Sequence, residues 1–575
     1  MGVMLNRCFT YVKLVARRCV LVMRLPLGIS DFKEVRENDF IYVDKSLIIQ
    51  EILETSGKIL LITRPRRFGK TINLSMLRYF FESKKDRTLF QGLAIEKTSA
   101  MARQGTSPVI FLSFKDIKKA DFPSFLSAFR SLLAREFYRH KHLLSDLDDF
   151  QHGQFQRILQ EEGDQVKTEE ALFLLSELLA THTGKKVILL IDEYDTPIHA
   201  AHQHNYYEHA YGFIRGLLGM ALKDNSHLEK AVLTGILRVA KESIFSGLNN
   251  VDVTTLLQER FSDKFGFTEP EVNALLASHG LAPHLDEVRA WYNGYTMGST
   301  LIYNPWSIIN IIDKFSEGFQ PFWINTSSND LVREKITMAG PAIQSEIEAL
   351  ITGKTIKQSI AQHTSMRELD GNENALWGFL LFSGYLKVVG KSREQDLDYY
   401  DLAIPNREVR YLYRDIIAGW MQLRLGSKGL TELLDSLLAV DMARFEPLLQ
   451  ELVLGILSYH DAAGKEPERV YHAFVLGLLV HLGDRYHIRS NRESGRGRFD
   501  ILLNPKQPTA RGFVLEFKTV AAGCDFEDAL AEALNQIVEQ DYDCELRAAG
   551  VQNITHIAIA FSGKHIAVKQ GETDC

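Results

Sequence analysis

The sequence predicts an α/β chain in three parts: a parallel-sheet domain, a helical middle region, and a smaller α/β unit at the C-terminal end. Three observations predict it. Valine-, isoleucine- and leucine-rich runs alternate with helical stretches between residues 58 and 237, the pattern turns to helices and aromatic-rich turns from about 266, and strand-type runs return after 466. Continuous apolar strands separated by helices indicate a parallel sheet covered on both faces.

The strands of the first part are KILLIT (58–63), VIFLSF (109–114), VILLIDE (187–193) and AVLTGIL (231–237). Between them, FPSFLSAFRSLLAREFY (122–138) and TEEALFLLSELLATH (168–182) repeat apolar residues at three and four, the period of a helix with one buried face. In the middle region, ALWGFLLFSGYLKVV, the polar KSREQDLD and YYDLAIPNREVRYLYRDII read as helix, strand, polar tip, strand and helix, the order of a winged-helix module. A helical bridge over 431–465 leads to the last unit. There VYHAFVLGLLVHLG and EDALAEALNQIVEQDY read as helices, and FDILLNP, GFVLEFK and ITHIAIAFSG as strands.

Composition excludes some classes. A chain of 575 residues, 45% hydrophobic and 24% charged, is long enough for several packed domains. The net charge of -7 provides no global field for nucleic acid, so such binding needs a local patch. Five scattered cysteines (Cys8, Cys19, Cys524, Cys544, Cys575) form no CxxC pair, which argues against a disulfide framework or zinc site and for a reducing cytoplasm. No run reaches the roughly 18 apolar residues of a membrane span. The basic, apolar residues 1–24 read as an N-terminal extension. The expected start is Met23, which opens MRLPLGISDF, and the alternative is a short amphipathic arm.

The stretch TRPRRFGKT follows the first strand. A phosphate-binding loop, GxxxxGK[ST], sets backbone N–H groups and a helix N-terminus around phosphates, with lysine on the β/γ oxygens and the hydroxyl on Mg²⁺. Gly69, Lys70 and Thr71 fit this pattern, Arg66 and Arg67 are further phosphate candidates, and Arg64 stands where the first glycine belongs. VILLIDEYD supplies the partner: Asp192 for Mg²⁺ and Glu193 to orient or deprotonate the attacking water. Thr234, near the end of AVLTGIL, is a polar candidate near the γ-phosphate, and Arg238 could sense it. Together these predict a P-loop NTPase domain that binds ATP with Mg²⁺.

LPLGISDFKEVRENDFIYVDKS, TRPRRFGKT, LLIDEYDTPI, TGILRVAKESIFSGLNNV and WYNGYTMG, in this order, resemble the bacterial AAA-ATPase-like family that is usually joined to a C-terminal PD-(D/E)XK nuclease-superfamily domain. The resemblance covers nearly everything from residue 25 onward. It implies that RPRRFGK is the family's usual form of the loop. It also implies a restriction-endonuclease-like fold at the C-terminal end.

The residues there carry that pattern themselves. RFDILLNP and GFVLEFK give Asp500, then Glu516 and Lys518, and residues two apart on a strand share a face. Two carboxylates to hold Mg²⁺ and a lysine to position water are the elements of metal-assisted phosphodiester hydrolysis. In the resembling segments, Glu493 is a further acidic candidate, and Gln536 and Tyr542 are site-lining ones. A glutamate from the first helix is also implied, for which Glu468 and His472 are the nearby residues and neither is singled out. Residues 481–520 hold eight Lys/Arg against four acids, a candidate nucleic-acid face.

The expected division is ATPase-like 25–265, helical and winged-helix-like 266–430, bridge 431–465 and nuclease-like 466–575. The expected function is an ATP-binding and hydrolysing protein coupled to a Mg²⁺-dependent nuclease acting on nucleic acid, with DNA favoured. The alternative is a nucleotide-regulated DNA- or protein-binding or signalling ATPase whose nuclease fold is silent. A homo-oligomer is compatible with either, although no arginine for donation in trans stands out. HAAHQH (199–204) reads as a solvated loop, and Trp291, Trp306, Trp323 and Trp377 as anchors of the middle region.

Overall fold

The computed structural model describes residues 24–82, 87–237, 251–324, 329–337, 341–351, 353–360, 373–456, 475, 478–479, 482–483, 485–494, 497–507, 509–521 and 525–571. Arg238, Glu468 and His472 lie outside them, as do the side chains of residues 490–498, Glu493 included. The chain divides into two compact units. The first runs to Arg289 and resumes over Tyr295–Phe319; the second takes Ala290–Gly294 and the described parts of Gln320–Gln362 and Arg367–Cys575.

The first unit is built on five parallel strands: β1 (Ile59–Thr63), β2 (Val109–Ser113), β3 (Val187–Asp192), β4 (Leu228–Gly235) and β5 (Val251–Thr254), in the order β2-β3-β4-β1-β5. Every residue of β1 and β3 is buried, which is what their unbroken apolar runs require of strands covered on both faces. The helix Phe122–Arg139 starts at Asp121, whose carboxylate accepts from the Ser124 N–H, and buries Phe125, Phe129, Leu133 and Phe137 at a spacing of four. Helix Gln165–Thr183 stops at Gly184, whose φ of 64° suits a left-handed cap.

β5, with its half-exposed VDVT, and the small antiparallel sheet of β6 (Phe267–Thr268), β7 (Tyr295–Met297) and β8 (Thr300–Tyr303) escape the sequence reading because they are short and polar. HAAHQH is not a solvated loop: helix Thr196–Gln203 buries Ala200 and Ala201. Helix Pro305–Asp313, capped by Asn304 and carrying Trp306, is part of the first unit, although it falls within the stretch read from the sequence as the middle region.

In the second unit, helix Pro341–Ile351 is followed by β9 (Ile356–Ser359), helix Glu373–Phe382, β10 (Lys387–Glu394) and β11 (Leu397–Ala403). The antiparallel sheet runs β10-β11-β9. Gln395 and Asp396, both with positive φ (46° and 67°), close the hairpin as its two-residue turn. The helix, strand, polar tip, strand and helix read from the sequence are all present, and β9 adds a third strand. Residues Ala375–Phe382 are buried throughout, so this part of the helix between β9 and β10 keeps no face for a nucleic-acid groove.

Helix Arg407–Leu438 continues past residue 430 and is followed by helix Met442–Ile456. A mixed sheet ends the chain: β12 (Tyr486–Ser494), β13 (Gly497–Pro505), β14 (Gly512–Thr519), β15 (Ile554–Ser562) and β16 (His565–Gln570), in chain order, with only β14 and β15 parallel. Helix Phe526–Glu539 crosses from β14 towards β15 and buries Leu530, Ala533 and Ile537.

Candidate functional site

The loop after β1 ends in Gly69, at φ 85°, and opens directly into helix Lys70–Phe81. A left-handed residue here turns the chain so that successive N–H groups face one point, and glycine adopts it without strain. Arg67 also has positive φ (68°). Its guanidinium lies 4.3 Å from the centre of the half-buried Trp306 ring, a cation–π contact.

Arg64 does not face this loop's interior. It is fully buried and donates to the carbonyls of Thr63 (2.8 Å), Thr254 (3.2 Å), Arg260 (3.3 Å) and Phe261 (3.4 Å), while its guanidinium sits 5.2 Å from the Phe265 ring centre. Burial pushes its pKa down to about 9. The residue in place of the first glycine is therefore a strut that ties the phosphate loop to the end of β5 and the 260–265 turn. Arg64→Gly, which restores the GxxxxGK pattern, should destabilise the first unit by about 3 kcal/mol through unpaired buried carbonyls. A lower melting temperature checks this; an unchanged one contradicts the strut.

Lys70 is 5% exposed and donates to the carbonyls of Arg64 (3.0 Å) and Pro65 (2.8 Å). Burial lowers its pKa, opposed by Glu193, Asp192 and Asp195. At the ends of β3 and β4 three side chains form one hydrogen-bonded chain. Thr71 Oγ1 donates to Asp192 Oδ2 (2.8 Å) and Thr234 Oγ1 donates to Asp192 Oδ1 (2.7 Å). Asp192 is fully buried, and that burial raises its pKa against the two hydroxyl donors. β4 lies between β1 and β3, so strand order alone sets these groups side by side. Glu193 follows at φ 52° and accepts from Thr196 Oγ1 at 3.0 Å.

Sequence reasoning missed Asp195. Its Oδ2 accepts from the N–H groups of Ile236 (2.8 Å) and Leu237 (2.9 Å), and Tyr194 Oη donates to the Leu237 carbonyl at 2.7 Å. The YD of IDEYD thus clamps the backbone that leaves β4. A Cβ on Gly235 would lie 2.6 Å from the Tyr194 ring, which explains the glycine in TGIL. The only sequence signal was the third acid of the DEYD run.

In the second unit, Asp500 on β13 and Glu516 on β14 meet across the sheet. Asp500 Oδ2 accepts from the Phe517 N–H at 2.8 Å, and Glu516 Oε2 from the Asp500 N–H at 3.4 Å. Glu516 is 3% exposed. Alternation puts Lys518 on the same face as Glu516, while Phe517 packs edge-on to Phe561 in the core. Lys518 Nζ donates to Gln536 Oε1 (2.6 Å) and pairs with Glu532 (3.0 Å); Gln536 Nε2 donates to the buried Tyr542 hydroxyl (3.1 Å). Burial raises the Tyr542 pKa, and Asp500 and Glu516 add to it.

Of the basic residues counted over 481–520, Arg492, Arg496 and Arg498 have side chains outside the described ones, and two others besides Lys518 are paired. Arg485 pairs with Asp435 and Arg489 with Glu545, leaving Lys506 and Arg511 exposed and without an ion pair among the described residues.

Both sites suit the groups their motifs imply. A buried carboxylate bonded to a threonine hydroxyl beside a helix N-terminus and a buried lysine is a donor set for Mg²⁺ and phosphate. Asp500 and Glu516 supply the one or two carboxylates that Mg²⁺ commonly takes with its waters. No cluster of three or more His, Cys, Asp or Glu set to hold a metal occurs among the described residues. No helix among them is long and apolar enough to cross a membrane.

Residues 26–245 match the family model described as predicted AAA-ATPase, and residues 466–571 match that of the PD-(D/E)XK nuclease superfamily. The chain is similar to an uncharacterized protein from the vnfD 5' region of Azotobacter chroococcum mcd 1, with 26% identity over 563 residues, spanning 94% of this chain and 96% of that protein. No solved structure matches it.

Proposed function

We propose that this chain, in which a predicted AAA-ATPase domain precedes a PD-(D/E)XK nuclease-superfamily domain, is a nucleotide-controlled, Mg²⁺-dependent nuclease. The observation that carries the reading is the convergence of Asp500, Glu516 and Lys518 on one face of the second sheet. The division into ATPase-like, winged-helix-like, bridging and nuclease-like parts drawn from the sequence belongs to this proposal.

In the first unit, Lys70 exchanges the carbonyls of Arg64 and Pro65 for the β/γ-phosphate oxygens, a stronger partner for a buried cation. Thr71 and Asp192 would hold the Mg²⁺ that accompanies ATP. Thr234 holds the Asp192 carboxylate in place, and Glu193 orients the attacking water. Arg66 and Arg67 add positive charge at the loop.

In the second unit, Asp500 and Glu516 would hold a divalent cation, which supplies activation of water and neutralisation of charge on the phosphodiester. Lys518 positions the water, itself oriented by Gln536, which Tyr542 braces in turn. The nucleic acid is DNA or RNA bound through its backbone.

The experiment is cleavage of linear DNA, circular DNA and RNA by the purified chain. Cleavage is expected in Mg²⁺ or Mn²⁺ and none in EDTA; cleavage undiminished by EDTA contradicts the two-carboxylate site. A second reading, a nuclease fold that binds without cutting, is favoured by one contact, the Lys518–Glu532 ion pair that occupies the lysine. Binding with no cleavage in either metal selects it.

A further inference from the structure

Helix Arg407–Leu438 begins at Asn406, whose side chain accepts from the Val409 N–H. Its first two turns have two opposite faces. Glu408, Val409, Leu412, Tyr413 and Ile416 are buried, and Glu408 accepts from the Trp323 N–H. The other face carries Arg407, Arg410, Tyr411 and Arg414, at the i, i+3, i+4 and i+7 spacing of one stripe. Arg407 is exposed, Tyr411 is 49% exposed, and Arg410 and Arg414 are half-buried with Nε atoms that lack a hydrogen-bond partner. Lys387 of β10 adds a fourth cation, with Nζ 3.4 Å from the Pro405 carbonyl.

Among the described residues, no carboxylate pairs with these cations. The charges that act on Lys387, Arg410 and Arg414 are one another's and that of Arg407, and each pKa is lowered, first by burial and then by a neighbouring cation. The adjacent Asp415 is paired with Arg333. Holding four like charges together uncompensated is costly, and water alone does not satisfy a half-buried guanidinium. The stripe extends about 10 Å along the helix at 1.5 Å per residue, so one phosphate cannot reach it all, whereas a chain of phosphates can. Guanidinium groups match phosphate oxygens two by two, and an exposed tyrosine among arginines is a platform for a base.

We propose that the Arg407, Arg410, Tyr411 and Arg414 face, with Lys387, is a docking surface for the phosphodiester backbone of nucleic acid. It gives the substrate class of the proposed nuclease a second point of attachment, outside the carboxylate cluster. Binding there is independent of sequence, because phosphate contacts carry no base information and the buried residues Ala375–Phe382 present nothing to base edges.

The test uses the full chain in EDTA, where no metal-dependent cleavage occurs, and follows the anisotropy of a short fluorescent DNA duplex over a range of KCl concentrations. Arg407→Ala with Arg410→Ala should weaken binding about tenfold or more at low salt, and should flatten the slope of log K against log salt by about 2, as two phosphate contacts are lost. Arg407→Lys with Arg410→Lys should keep the slope. Should the alanine pair fail to fold, Arg407→Ala with Tyr411→Ala, both exposed, reads the same face through one lost unit of slope and weaker single-strand binding. An unchanged slope in a folded variant overturns the proposal. So does a polyglutamate peptide that binds the same arginines more tightly than the duplex, since the occupant would then be an acidic protein. A chain that binds with these slopes but never cuts in Mg²⁺ leaves this surface standing and removes only the nuclease reading.

Discussion

Asp500→Ala is expected to abolish Mg²⁺-dependent phosphodiester cleavage, by about three orders of magnitude or more, because a metal's charge stabilisation is worth several kcal/mol at the transition state. The alanine also leaves the Phe517 N–H without its acceptor. Asp500→Asn separates the two effects: its amide oxygen still accepts that hydrogen bond, so the melting temperature should hold while cleavage is lost. Lys518→Ala should reduce the rate with little change in metal dependence, since the proposed role of Lys518 is to position water and not to hold the cation. Cleavage that survives both Asp500→Ala and Lys518→Ala would show that the chemistry resides elsewhere.

Lys70→Ala should weaken ATP binding about 10- to 100-fold, the worth of one or two hydrogen bonds to a charged group, and should remove turnover. Calorimetric titration with a non-hydrolysable ATP analogue reads the first and phosphate release the second. The variant should fold, because among the described residues Lys70 bonds only to carbonyls of its own loop, those of Arg64 and Pro65. ATP binding and turnover unchanged by the substitution would contradict the nucleotide site. The Arg64→Gly variant makes a useful contrast, since its expected loss is of stability.

The apolar runs of β1 to β4 were legible in the sequence because strands buried on both faces tolerate little else. Thr71, Asp192 and Thr234 could be listed from motifs, but their joining into one hydrogen-bonded chain depends on β4 lying between β1 and β3, and strand order is not written in periodicity. The role of Arg64 was hidden for a similar reason. An arginine in a phosphate loop reads as a phosphate ligand until the carbonyls of Thr254, Arg260 and Phe261 are brought to it from nearly 200 residues away. Asp195 was passed over because the N–H groups it accepts from, those of Ile236 and Leu237, lie 41 and 42 residues along the chain.

At the second site, Asp500, Glu516 and Lys518 came from spacing, while Gln536 and Tyr542 came only from resemblance. The structure places Gln536 against Lys518 from a helix whose apolar period buries Ile537, and Tyr542, just past that helix, against Gln536. Strands β12 and β16 were missed, since YHIRSNRES and HIAVKQ carry too few apolar residues to announce edge strands.

The most direct test of the central claim is the rate of linear DNA cleavage in Mg²⁺ with and without ATP, for the wild-type chain beside Lys70→Ala. A nucleotide-controlled nuclease should cut at a rate that ATP changes in the wild type and leaves unchanged in the variant. Equal wild-type rates with and without ATP, in protein that binds ATP, would contradict the coupling of the two domains.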